Sequence, residues 1–207
     1  MASHHDPAEA TVPAADLDDG AAIVRSRQDP EAFAVIFDRH APRIFRYLTR
    51  RLGADAASDV LEETFLAAFR KRGGYDSSRA DAAPWLYGIA TKLVSQHRRN
   101  EVRYYRLLLA MQQNAFGGVP DSGHADQVAM NVTAQAARGL LAEALATLNP
   151  RDRDVVLLIA REELSYEETA QALGVPVGTI RSRLNRARKH LRAALGDENP
   201  VTTDREV

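Results

Sequence analysis

From Gly178 to Leu195 the chain carries six basic side chains and no acid. At about 100° per residue, Gly178, Thr179, Ser182, Asn185, Arg186 and Lys189 share one arc of a helix, and Ile180, Leu184, Ala187, Leu191 and Leu195 share the opposite arc. Arg181, Arg183, Arg188 and Arg192 flank the apolar stripe. The chemistry of such a helix is recognition. Small and polar groups meet base edges while guanidinium forks meet phosphate. Thr179, Arg181, Ser182, Arg183, Asn185, Arg186 and Lys189 are therefore candidate DNA contacts. A solvated basic face on an ordinary core helix would explain the charges alone, but the residues just upstream add a second signal. Ser165-Tyr166-Glu167-Glu168 is a capping box, Gly174 ends the short helix it starts, and Pro176 opens the longer one. A short helix, a Gly-containing turn and a second helix make a helix-turn-helix.

No bond-making chemistry has comparable support. The absence of Cys excludes disulfides, Cys-ligated zinc, iron–sulfur clusters and thiol catalysis. The six His (positions 4, 5, 40, 97, 124 and 190) show no metal-ligand spacing. There is no Gly-rich phosphate loop, no serine-nucleophile elbow and no supported pair of carboxylates. A non-enzymatic protein with no metal and no cofactor is expected. No apolar run approaches the roughly 18 residues of a membrane span, and no secretory leader opens the chain, so a cytoplasmic location without membrane insertion is expected.

The elements that must position the basic helix are all helical. Residues 1–28 are rich in Ala, Asp and Pro without a sustained period and read as a flexible N-terminal arm. Asp29-Pro30-Glu31 reads as a helix start, with Asp29 as N-cap. Phe33, Ile36, Phe37 and His40 follow at helical spacing, and Pro42 restarts a helix through Ile44, Phe45, Leu48 and Leu52 to Gly53. Asp55 is positioned to cap a third helix with Leu61, Phe65, Ala68 and Phe69 inward, and a fourth runs from Trp85 to about Arg103. Gly117 to Gly123 marks a linker by composition, and Leu107 to Ala115 can extend the helix before it. Two more helices, separated by Asn149-Pro150, precede the helix-turn-helix. Nothing alternates with period two, so the fold class is all-α: two small helical domains joined by a flexible linker. The division is arm 1–28, first domain 29–106, linker 107–137, helix-turn-helix domain 138–196 and acidic tail 197–207.

The net charge of −1 on 207 residues hides this division. Residues 31–106 sum to +5 and residues 137–196 to +3, while the arm, linker and tail are acidic. Two basic blocks in an apparently neutral chain fit a polyanionic partner.

The helix-turn-helix, Leu164 to Ala170, Leu173 to Leu184 and Arg186-Ala187-Arg188, resembles region 4 of extracytoplasmic-function (ECF) sigma factors. Upstream, Asp29 to Phe33, Ala41 to Tyr47, Asp59 to Phe69 and Trp85 to Ala90 resemble region 2. The resemblance implies a transcription initiation factor that binds core RNA polymerase, directs it to promoters and helps open them. It implies that region 4 reads the –35 element as duplex and region 2 captures the –10 element as unpaired strand. Asp59, Glu62 and Glu63 would dock on the clamp coiled coil of the largest polymerase subunit. Trp85, Tyr87, Thr91, Lys92, Ser95, Arg98 and Arg99 would face the –10 strand, with Leu86, Ile89, Ala90 and Leu93 packed inward. Aromatics beside bases suit single-stranded DNA, which needs both stacking and charge. The family commonly has Gln at Glu62, Asn at Lys92, Asp at Gln96, an aromatic near Ala82 and a Ser or Thr at Pro176. An anti-sigma factor is a further implied partner. The linker either threads toward the polymerase active centre or RNA exit path or is a passive tether. A polymerase-independent helix-turn-helix regulator is the alternative reading, distinguished by tight specific duplex binding without polymerase.

Overall fold

The computed structural model describes residues 17–115 and 139–195. Among them there is no strand, and no helix is long and apolar enough to cross a membrane. The expected linker beyond Ala115, the tail and the first 16 residues lie outside the described residues.

Helix α1 (Asp19–Arg25) falls inside the segment read as an arm. Asp18 caps it, accepting from the Ala21 amide at 2.7 Å, and Ala22 and Ile23 are fully buried. Two buried apolar groups in seven residues are too few for a helical period to stand out. A 3₁₀ turn (Pro30–Phe33) then leads into α2 (Ala34–Leu52). Asp29 sits at the N-cap as expected but makes no capping bond; its carboxylate meets Arg25 at 3.6 Å instead. Helix α2 does not restart at Pro42 but runs through it. The ring removes one backbone donor, and a single buried stripe of Ile36, Ala41, Ile44 and Leu48 on both sides of it holds the register.

Helix α3 (Ala54–Lys71) begins directly after Gly53, so Asp55 lies in its first turn rather than at the cap. The fourth predicted helix is two: α4 (Ala83–Gln96) and α5 (Arg98–Ala115), broken at His97. Helix α5 therefore occupies the first residues assigned to the linker. Residues 139–147 form α6, followed by α7 (Pro150–Ala160), α8 (Tyr166–Leu173) and α9 (Val177–Leu195). Asn149 caps α7, its side chain accepting from the Arg151 amide at 3.0 Å.

The two groups of helices share a core. Ile36, Ile44, Leu48, Val60, Ala68, Leu86 and Ala90 of the first group form one cluster with Leu157, Leu158 and Leu164 of the second. A smaller cluster of Val155, Ala170, Ile180 and Leu184 holds α7, α8 and α9 together. Between the groups lies a buried charge cluster. Arg51 of α2 reaches Glu101 of α5 at 2.6 Å and Asp154 of α7 at 2.8 Å, and Arg153 of α7 reaches Glu101 at 3.1 Å. Arg51, Glu101 and Arg153 are each 2% exposed at the side chain. Burial disfavours the Arg51 cation, but Tyr47, Asp154 and Glu101 around it outweigh this and hold it charged.

Candidate nucleic-acid interface

The local chemistry of α8 and α9 follows the expected pattern. Ser165 Oγ accepts from the Glu168 amide at 3.1 Å, and Glu168 Oε2 accepts from the Ser165 amide at 2.7 Å. Gly174, at φ +63°, turns the chain in the left-handed region that costs most residues a Cβ clash, and its amide caps α8. The Pro176 carbonyl accepts from the Thr179 amide at 2.9 Å and the Ile180 amide at 3.3 Å, so the proline starts α9 without a side-chain cap. Ile180 and Leu184 are buried against α7 and α8, and Ala187 is buried further along the same stripe. On the other side Arg181, Ser182, Asn185, Arg186 and Lys189 are exposed, and Thr179 and Arg183 are half-buried at its edges. Ser182 turns its hydroxyl onto the Thr179 carbonyl at 3.0 Å. Leu195 ends the stripe in solvent, beyond the reach of α7 and α8.

One of the predicted DNA contacts of α9 is otherwise engaged. Arg186 forks onto Asp152 of α7, at 2.9 and 3.1 Å to the two carboxylate oxygens. It braces α9 against α7, and Asp152 is a positioning residue that the sequence reading missed. No local signal marks the pair, which is 34 residues apart.

Helix α4 departs further from expectation. Leu86, Ile89 and Ala90 are buried as read, but Tyr87 and Thr91 are buried too. Thr91 Oγ1 meets Tyr47 Oη at 2.7 Å, and the Tyr87 hydroxyl donates to Glu162, beyond α7, at 2.6 Å. The Tyr87 ring also stacks edge-on against Tyr47 at 5.3 Å. Burial and the Glu162 carboxylate both push the Tyr87 phenol well above its ordinary range, so it stays a donor. Apolar spacing alone puts both residues on the outward face. Tyr47 of α2, and Glu162 for the Tyr87 hydroxyl, widen the buried arc. Trp85 is half-buried against Tyr75 at 4.9 Å, and Lys92, Ser95 and Arg99 are exposed. The Arg98 side chain lies outside the described residues.

The start of α4 is fixed by a residue from the supposed arm. Asp19 Oδ2 accepts from the Ala82 amide at 2.8 Å and meets His40 Nε2 at 2.6 Å, while Oδ1 accepts from Arg39 at 3.0 Å. Burial works against its charge, but His40, the Ala82 amide and Arg39 more than compensate and lower its pKa to about 2. Asp81 lies close enough to complete a three-ligand geometry with Asp19 and His40, but Asp19 is already saturated by three protein donors.

On α3, Asp59, Glu62 and Glu63 are exposed along one side, as predicted. Two exposed apolar groups lie near them. Leu66 is 48% exposed, and Phe37 of α2 is 43% exposed while packing edge-on against Phe65 at 4.8 Å. An acidic rim beside apolar groups suits a basic protein surface rather than DNA.

The descriptions of two family models match the chain in this order: Sigma-70 region 2 over residues 36–104 and Sigma-70 region 4 over residues 138–191. The RNA polymerase sigma factor CarQ of Myxococcus xanthus is 32% identical over 168 residues, spanning 81% of this chain and 91% of its own length. The chain belongs to the ECF sigma factors. The ECF RNA polymerase sigma factor SigL of Mycobacterium tuberculosis is likewise 32% identical, over 77% of this chain and 86% of its own. In fold the chain is similar to the sigma factor RpoE from Bartonella quintana, solved with the anti-sigma factor NepR, with a TM-score of 0.53 and 23% identity over 79% of this chain and 96% of that one. As an ECF sigma factor the protein is a promoter-directing initiation factor for RNA polymerase. The polymerase-independent regulator is not favoured.

Proposed function

We propose that this sigma factor docks on the clamp coiled coil of the largest polymerase subunit through Asp59, Glu62 and Glu63 of α3, with Leu66 and Phe37 supplying apolar contact. Helix α9 reads the –35 duplex in the major groove through Arg181, Ser182, Asn185 and Lys189, with Thr179 and Arg183 at its edges. Helices α4 and α5 capture the unpaired –10 strand through Trp85, Lys92, Ser95, Arg98 and Arg99, joined by Tyr87 and Thr91 once their packing opens. The protein carries no catalytic step; the polymerase supplies the chemistry, in the cytoplasm. The observation that carries this reading is the exposed polar face of α9, built on a helix-turn-helix that follows a region 2 with an exposed acidic face.

Run-off transcription with purified core polymerase, followed by start-site mapping, tests it. Transcripts from a defined promoter set that require both components are expected. Core affinity no better than that of an unrelated helical protein contradicts the reading. Because RpoE of Bartonella quintana is solved with an anti-sigma factor, we extend an anti-sigma partner to this chain. A copurifying protein that suppresses run-off transcription is the expected sign.

A further inference from the structure

We infer that α1 is a positioning element for strand capture: it holds the connection between α3 and α4 in one shape and so fixes the ring of Trp85 at the entry to α4. The inference rests on the reading of α4 as the –10 helix and names what sets that helix for its task.

The connection has little of its own to hold it. After a 3₁₀ turn (Arg72–Gly74), Asp76 to Asp81 are all exposed, with Tyr75 and Ala82 buried at the two ends. Backbone without packing of its own has much conformational freedom to lose. Helix α1 meets this segment at three places. At its start, Arg27 donates to the Tyr75 carbonyl at 3.3 Å and to the Arg72 carbonyl at 3.4 Å, and Arg72 Nε donates back to the Ser26 carbonyl at 3.2 Å. In the middle, Gly20 approaches so closely that a Cβ there would lie 2.7 Å from the Ser77 carbonyl oxygen and 3.0 Å from that of Arg79. At its end, the Asp19 amide donates to the Ala80 carbonyl at 3.3 Å, and the Asp19 carboxylate accepts from the Ala82 amide at 2.8 Å. Apart from Arg72, these contacts go to the backbone of the connection, so they set its path whatever its side chains do.

That path is passed on to Trp85. The Tyr75 hydroxyl donates to the carbonyls of Arg79 at 3.0 Å and Asp81 at 3.2 Å, and the Tyr75 ring packs on Trp85 at 4.9 Å. Asp81 accepts from the Ala83 amide at 2.7 Å, next to the Ala82 amide that Asp19 holds. The turn that carries Trp85 is thus anchored to α1 and, through His40 and Arg39 on the same carboxylate, to α2. A ring held in place beforehand loses less freedom when a base stacks on it. Helix α1 precedes residues 36–104, which the region 2 model matches.

The test uses the single Trp as a reporter in the full chain. Gly20→Ala favours helix, so α1 itself is not weakened, while its methyl group displaces the Ser77 and Arg79 carbonyls. Its acrylamide quenching of Trp85 is expected to rise about twofold with unchanged circular dichroism, as the ring loosens. With core polymerase, permanganate reactivity of –10 thymines is expected to fall about tenfold while core affinity is unchanged. Arg27→Ala, at the far end of the connection, is expected to shift both readouts in the same direction by less. Gly73→Ala, whose methyl group would meet nothing within 4 Å, is expected to leave both as in wild type. Four results overturn the positioning role: unchanged quenching in a folded Gly20→Ala chain, raised quenching without loss of opening, an equal effect of Gly73→Ala, or a loss of core affinity as large as the loss of opening. Quenching needs neither polymerase nor promoter, and Trp85→Ala separates the two claims. Normal opening by Trp85→Ala sinks the –10 reading, and the role of α1 in capture with it. Impaired opening by Trp85→Ala beside a wild-type-like Gly20→Ala chain sinks the role of α1 alone.

Discussion

The two helices assigned to promoter DNA are presented in opposite ways. Helix α9 packs its apolar stripe on α7 and α8 and leaves Arg181, Ser182, Asn185 and Lys189 in solvent. Helix α4 has its outer face partly roofed by α8, with Tyr87 and Thr91 buried. The difference teaches that a duplex-reading helix is usable as it folds, because the major groove accepts a rigid convex face. A helix proposed to capture a strand needs exposed rings, but here Tyr87 packs edge-on against Tyr47 of α2 and Trp85 packs against Tyr75.

The largest effect expected on this contrast comes from the platform of α9. Ile180→Ala removes a fully buried side chain from the small cluster and is expected to cost about 2–5 kcal/mol. Thermal melts should show early loss of the α7–α9 group, and –35-dependent transcription should vanish with it. If the melt is unchanged, the small cluster is not what presents α9.

Next is the residue that starts α4. Asp19→Asn leaves His40, Arg39 and the Ala82 amide facing a neutral group and is expected to cost about 1–3 kcal/mol at neutral pH. The sign with pH is defined. The Asp19 pKa is about 2 in the folded chain, below its ordinary 3.8, so its stabilisation is present above about pH 4 and lost as pH falls through 2. Denaturant midpoints of wild type and variant should converge over that window, and a gap constant down to pH 2 would contradict the assignment.

On the exposed face of α9, Lys189→Ala is expected to weaken –35 binding by about 1–3 kcal/mol and relax sequence choice if it reads a base. A loss uniform across sequences, with the salt slope lowered by about one, marks a phosphate contact instead. Arg186→Ala should have the smallest effect, since its pair with Asp152 lies largely in solvent and exposed ion pairs contribute little. Fluorescence anisotropy of holoenzyme on duplex promoter separates the two. A larger loss for Arg186→Ala than for Lys189→Ala would reverse their roles as brace and reader.

Much of the α9 half of this contrast was legible in the chain. The Ser165–Glu168 capping box, Gly174 and the six-base run all act within a few residues, so spacing alone conveys them. The α4 half was not. Thr91 finds Tyr47 and Tyr87 finds Glu162 across 44 and 75 residues, and a helical wheel has no term for either. The same holds for Asp19, which sits in a stretch too rich in Ala and Asp to show a period, yet fixes the start of α4 from 63 residues away. Pro42 shows the opposite case. Its local preference to end a helix is real, but a buried stripe on both sides overrides it.

The most direct test of the central claim is permanganate footprinting of a mapped promoter with the chain, core polymerase, or both. Reactive thymines in the –10 region are expected only when both are present, because a sigma factor directs polymerase to the promoter rather than opening it alone. A tight sequence-specific footprint by the chain without polymerase, or no reactive thymines with both, would contradict it.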